Sequence, residues 1–235
     1  MTRRRWIADE VAGTQARLLG AHADHLVRVL RAHVGEECDV AAYGVVHRAR
    51  IVEIADGRVE FELEDEVKTE STVPVTVLLS IFKFDRMEWA IEKCVELGVK
   101  KIVPVIARRT DAHLATAAVK RVERWKRLAT QATEQSRRVS PPEITEPVKL
   151  ANALEFPGAF RIVLAETENY SMLYPLVANC GKGVVLAIGP EGGWTQDELD
   201  AFNREGWAQA SLGPTILRAE TAAIAATAIA MAAAK

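Results

Sequence analysis

The chain has 235 residues, 49% of them hydrophobic and 26% charged, with a formal net charge of −2. That profile belongs to a soluble globular protein able to bury one large core or two smaller ones, and it excludes a bulk polycation. No charge-free apolar run reaches the roughly 18 residues of a membrane span. The basic start, Met1-Thr2-Arg3-Arg4-Arg5-Trp6, leads to Asp9 and Glu10 where a signal peptide would have an apolar stretch, so a cytoplasmic location is expected. Cys38, Cys94 and Cys180 stand far apart with no CxxC pair and no histidine at zinc-finger spacing. They read as reduced thiols in core positions, with neither a disulfide nor a metal site.

Residues 25–31 read as a short helix, followed by strand-like runs at 38–43, 45–54 and 58–63. The last two meet at Asp56-Gly57, a pair suited to a tight hairpin. These elements predict a small β-rich domain. The acidic segment 64–72 has no apolar period and reads as a linker. Beyond it the rhythm changes to alternating strands and helices. Residues 75–82 suit a strand buried on both faces. Asp85, with Glu88 three residues on, resembles a capping box, and Met87, Ala90, Ile91, Cys94 and Val95 then form one apolar stripe that ends at Gly98. Residues 102–107 form the next strand. A longer helix follows at 119–138, with Val122, Trp125, Ala129 and Ala132 inward. Further strands are expected at 161–165, 184–188 and 208–212, and Thr195 with Glu198 opens a helix between the last two. Such alternation predicts an α/β domain with a mostly parallel sheet covered by helices on both faces.

Charge is distributed unevenly along the chain. From Lys100 to Arg138 there are eleven basic residues against three acidic, whereas Glu53 to Glu70 holds eight acidic residues against two basic. The first stretch can attract phosphate and the second should repel it.

Two loops carry the chemical signal. Ile188-Gly189-Pro190-Glu191-Gly192-Gly193-Trp194 follows an apolar strand, the place where α/β proteins bind ligands. Its glycines let backbone groups come close to a ligand, and Pro190 restricts the loop beforehand. There is no GxGxxG after a first strand and no GxxxxGK[ST], so neither a dinucleotide fingerprint nor a P-loop is present. The second loop, Leu212-Gly213-Pro214-Thr215-Ile216-Leu217-Arg218, also leaves a strand and enters a helix. Glu220 suits the first turn of that helix, but the cation of Arg218 is disfavoured at a helix N-terminus and needs an acceptor to offset it.

IGPEGG followed by LGPTILRAETA resembles the SPOUT-class methyltransferases, and specifically the RsmE family of 16S ribosomal RNA uracil-N3 methyltransferases. The resemblance covers nearly the whole chain, including His25-x-x-x-Val29-Leu30-Arg31, residues 83–99 with Glu96-Leu97-Gly98-Val99, and Glu134-Gln135 with Arg138. Trp6 departs from it, since phenylalanines are common there. The resemblance implies a PUA-like β-barrel RNA-binding domain at residues 1–70 and, at 74–235, an α/β SPOUT methyltransferase domain whose C-terminal segment is threaded into a trefoil knot. It implies a homodimer, with which the uncharged helix at 221–234 agrees independently.

By the same resemblance, S-adenosyl-L-methionine lies among three loops. They correspond to Leu164, Ala165 and Glu166; to Ile188, Gly189, Pro190, Glu191, Gly192 and Gly193; and to Leu212, Gly213, Ile216 and Leu217 with Arg218. The substrate it implies is 16S ribosomal RNA in the small subunit. Arg218 is expected to stabilise negative charge developing on the uracil, and Glu191 and Glu220 are the candidates to take the N3 proton or else to orient the loop. Arg3, Arg4, Arg5, Arg28, Arg31, Arg124, Arg127, Gln135 and Arg138 are the expected RNA contacts. Two rival readings use the same residues: a knotted methyltransferase acting on transfer RNA or another nucleotide, and a non-catalytic RNA-binding homologue.

Overall fold

The computed structural model describes residues 5–67, 73–136, 138–168, 170–178, 180–181 and 183–233. The chain divides into two compact units, Met1–Ser71 with Thr133–Ser140, and Thr72–Ala132 with Pro141–Lys235.

The first unit is a mostly antiparallel sheet. Its strands are β1 (Arg5–Ile7), β2 (Glu10–Ala12), β3 (Gln15–Leu19), β4 (Glu37–Ala42), β5 (Val45–Ala55) and β6 (Arg58–Val67), in the spatial order β1-β4-β5-β6-β3-β2. Only β1 with β4 pairs in parallel. β5 and β6 meet at Asp56-Gly57, as expected. Their pairing shifts register between His47 and Ala49 and again between Ile51 and Glu53, and bulges of this kind bend and twist a sheet. Leu18, Val40, Ala49, Ile51, Val59 and Phe61 fill the inner face together with Leu26.

Three features differ from the sequence reading. Strands β1 to β3 were not expected, because each is too short for its alternation to stand out from the charged residues around it. The helix at 25–31 starts earlier, as α1 (Gly20–Asp24), and continues as a π-helical turn over His25–Val29. Finally, β6 runs on to Val67 and takes in the first half of the expected linker. Its carboxylates are tolerated in the strand because cations face them across the sheet: Arg17 Nε lies 2.8 Å from Glu60, and Arg50 Nε 3.5 Å from Glu64. Residues 68–72, the rest of that segment, lie outside the described residues.

The second unit is α/β. In chain order it comprises β7 (Val75–Ser80), α2 (Phe84–Leu97), β8 (Lys101–Ile106), α3 (Ala112–Ala118), α4 (Val122–Gln135), β9 (Glu143–Ile144), β10 (Val148–Lys149), α5 (Leu150–Leu154), β11 (Phe160–Leu164), α6 (Leu173–Val177), β12 (Val184–Ile188), α7 (Gln196–Arg204), β13 (Ala208–Ala210) and α8 (Ala219–Ala233). The last turn of α4 groups with the first unit. The strands pair in parallel in the order β10-β8-β7-β12-β11-β13, with β9 beside β8. Central strands read as continuous apolar runs because both faces are buried. Val77, Leu79, Leu186 and Ile188 face α2, α4 and α8, whereas Leu78, Val103, Val163 and Ala187 face α5 and α7.

Val122, Trp125, Ala129 and Ala132 are buried as their spacing predicts, although the expected long helix is broken into α3, a 3-10 turn at Val119–Arg121, and α4. Asp111 starts α3 by accepting from the His113 amide at 2.7 Å. The cap expected for α2 is not formed. Lys83 occupies the cap position, and Asp85 lies within the first turn. Glu88 does not fold back but accepts from Arg124 at 2.8 Å, a charged partner that outweighs a neutral amide. All three cysteines are buried and free, and burial pushes the Cys94 thiol up to about 11. No described helix is long and apolar enough to cross a membrane.

Gly98 ends α2 in the left-handed region at φ +109°, and a Cβ there would meet Met231 Cε of α8 at 2.8 Å. Gly98→Ala is expected to lower the unfolding free energy by about 1–3 kcal/mol, mostly through the backbone strain. Urea denaturation checks this, and an unchanged midpoint would contradict it.

Candidate functional site

At the carboxyl edge of the parallel sheet, the chain leaving β11, β12 and β13 forms the walls of one cleft. From the first segment come Leu164, Ala165 and Glu166; from the second, Ile188, Gly189, Pro190, Glu191 and Gly193; from the third, Leu212, Gly213, Ile216 and Leu217. The three loops singled out in the sequence therefore converge. Gly192, Arg218 and Glu220 do not line the cleft.

Side chains fasten these loops to one another. Trp194 donates its indole N–H to the Leu164 carbonyl at 3.0 Å, which ties the second loop to the end of β11. Glu198 is buried; one of its oxygens accepts the Arg108 amide at 2.7 Å, and the other accepts the Thr195 amide at 2.8 Å in the expected capping box. One carboxylate thus anchors both the start of α7 and the turn after β8. Gly193 has φ +68°, a backbone conformation that strains any residue with a Cβ, and a Cβ there would lie 2.5 Å from Glu166 Oε1, so the glutamate would also have to move. Gly192 turns toward the turn after β8, where Arg109 donates to its carbonyl.

Arg218 precedes α8 and is exposed; its carbonyl accepts from the Ala222 amide at 2.8 Å, and its guanidinium makes no hydrogen bond or ion pair among the described residues. It follows Leu217, which lines the cleft. The two carboxylates differ in their surroundings. Glu191 is partly exposed and accepts from Arg86 Nη1 at 2.9 Å. Glu220 is buried in the first turn of α8, with Oε1 3.8 Å from Arg86 Nε and Oε2 without a partner.

Sequence reasoning overlooked Arg86, Arg109, Trp194 and Glu198 as organisers of the site. For Arg86 a signal was present, because a cation in the first turn of a helix raises the same electrostatic question that singled out Arg218.

The expected RNA contacts fall on both units. In the first unit, Arg5 lies 3.7 Å from Asp39, and Arg28 lies 3.3 Å from Asp24 and 3.8 Å from Asp56. Arg31 is exposed at φ +55°, Gln135 is exposed, and burial holds the guanidinium of Arg138 below its ordinary value. In the second unit, Arg127 is exposed and Arg124 is paired with Glu88. The two pairs of Arg28 are exposed, and exposed ion pairs are worth little, so phosphate can displace those carboxylates. Arg3 and Arg4 lie outside the described residues.

Residues 69–231 match the family described as an RNA methyltransferase domain. Ribosomal RNA small subunit methyltransferase E of Synechocystis sp. is 32% identical over 220 residues, covering 91% of this chain and 72% of the relative. The protein of the same name from Mycobacterium tuberculosis is 33% identical over 223 residues, covering 90% and 84%. Among solved structures, a ribosomal RNA small subunit methyltransferase E from Neisseria gonorrhoeae, bound to S-adenosyl methionine, is 29% identical with a TM-score of 0.83, covering 96% of this chain and 95% of that one.

Proposed function

We propose that this chain, which belongs to the ribosomal RNA small subunit methyltransferase E family, binds S-adenosylmethionine in the strand-end cleft and methylates N3 of a uracil in 16S ribosomal RNA. The observation that carries this reading is the convergence of three loops on one cleft with the unpartnered Arg218 immediately beyond it.

The residues present fit the cofactor. Leu164, Ile188, Leu212 and Leu217 offer apolar surface to an adenine ring, the backbone of the same loops offers donors and acceptors to its edge, and Glu166 offers a carboxylate to hydroxyl or amino groups. When bound, S-adenosylmethionine supplies an electrophilic methyl group carried on a positively charged sulfur. The protein's task is to align a nucleophile with that methyl and to keep the nucleophile deprotonated.

Uracil N3 carries a weakly acidic proton, and its loss places negative charge on the flanking carbonyl oxygens. Arg218 stabilises that charge. Of the two carboxylates, Glu191 lines the cleft and is the group in place to accept the proton, whereas Glu220 is buried and orients the start of α8. The reacting base must be unpaired on its Watson–Crick edge, as in a loop or a splayed segment of RNA. Arg5, Arg28, Arg31, Arg124, Arg127, Gln135 and Arg138 hold the surrounding phosphates. The first unit serves as the RNA-binding domain, and the C-terminal segment is threaded as a knot. Two copies associate through α8, which carries no charge after Glu220.

Mass-spectrometric mapping of small-subunit RNA incubated with the protein and labelled cofactor should place the methyl on uracil N3; a methyl on a ribose or on transfer RNA refutes the reading. Arg218→Ala is expected to lower kcat by about 10²–10³ with S-adenosylmethionine affinity retained, and full turnover would remove Arg218 from the chemistry. RNA affinity should fall as salt rises, and Arg127→Ala should reduce the salt slope by about one; a salt-independent affinity contradicts phosphate binding. Sedimentation should give twice the chain mass, and a monomer rules out the pairing through α8.

A further inference from the structure

Arg86 has a place in the site that neither the loops nor Arg218 accounts for. It stands in the first turn of α2, beside that helix's positive end, where a cation is electrostatically disfavoured. Two carboxylates from distant parts of the chain offset this. Nη1 donates to Glu191 at 2.9 Å, in the loop after β12, and Nε lies 3.8 Å from Glu220 in the first turn of α8. Glu220 is 5% exposed, and Arg86 is its only ionic partner among the described residues. Without Arg86, a buried carboxylate would face no cation and the second cofactor loop would lose its link to α2.

The geometry points to Arg86 as a positioning residue for methyl transfer. It fixes the loop of Gly189 to Gly193 and the start of α8, and therefore Arg218, in a single relative geometry. The guanidinium suits this task because its donors point in fixed, divergent directions and can serve two acceptors at once, whereas a lysine ammonium holds only one point of charge on a flexible stem. Arg86 does not line the cleft, and its influence on the reaction passes through Glu191 and Glu220. The inference rests on the reading above, in which these loops hold S-adenosylmethionine and Arg218 faces the uracil.

The test uses the full-length protein and compares Arg86→Gln, Arg86→Lys, Glu191→Gln and the double variant Arg86→Gln/Glu191→Gln. S-adenosylmethionine affinity is measured by calorimetry, turnover on small-subunit RNA at saturating cofactor, and the melting temperature alongside. Arg86→Gln is expected to weaken cofactor binding about tenfold and to lower kcat about 10²-fold, the scale of a misplaced reacting geometry. Arg86→Lys should keep the melting temperature, because the charge facing Glu220 survives, and should recover only part of the turnover. In the double-mutant cycle the losses of affinity should be smaller than additive, since both substitutions cut the same link.

A positioning role is refuted if Arg86→Lys, folded as the wild type, has wild-type affinity and kcat, or if the affinity losses simply add. A purely structural role would lower the amount of active protein while leaving the affinity of the folded fraction unchanged, and that outcome also overturns the proposal. Failure of the wild-type protein to bind S-adenosylmethionine would sink the functional reading itself and is scored before any variant.

Discussion

Every parallel sheet ends in a row of backbone N–H and C=O groups that no further strand can pair, and burying such groups without partners is costly. In this protein side chains from neighbouring segments supply the partners. Trp194 serves the Leu164 carbonyl, Glu198 serves the Arg108 amide, and Arg109 serves the Gly192 carbonyl. Each of these bonds joins the end of one strand, or the turn just past it, to the segment that follows another. The cleft walls are therefore held by the same contacts that complete the sheet, and a ligand meets groups already in place, with less ordering left to be done on binding.

The electrostatics follow from the same edge. Helices α2 and α8 both begin beside it, so their positive ends add to the cations of Arg86 and Arg218. Two carboxylates, Glu191 and Glu220, balance one of these arginines and leave the other unpartnered among the described residues. The result is a region in which the charge of Arg86 is compensated and the guanidinium of Arg218 stays exposed.

Much of this was legible in the sequence. Apolar runs marked β7, β8 and β12, the apolar stripe of α2 was read residue by residue, and Thr195 with Glu198 forms the expected capping box. Glycine and proline spacing located both strand-end loops. The illegible parts have physical reasons. A cross-strand cation faces Glu64 in β6, and a linear reading cannot see a partner such as Arg50, which is adjacent only through the sheet. For the same reason Glu88 resembled a capping residue until α4 brought Arg124 to it. Glu220 could be read as a first-turn carboxylate or as a catalytic one, and only its burial against Arg86 separates it from Glu191. Side chains that act over long sequence separations were the ones missed.

The first unit draws Thr133–Ser140 into a group otherwise made of the chain's beginning. Within it, His22 Nε2 lies 3.4 Å from Glu134 Oε1, and burial raises the carboxyl of Glu134 above its ordinary value. During synthesis, then, the N-terminal sheet leaves the ribosome well before the segment that completes its unit, with β7, α2, β8 and most of α4 made in between. A fragment cut just after β6 would present His22 to water without this neighbour. The order of translation and the order of assembly diverge here, because the first unit is completed only after much of the second has been made.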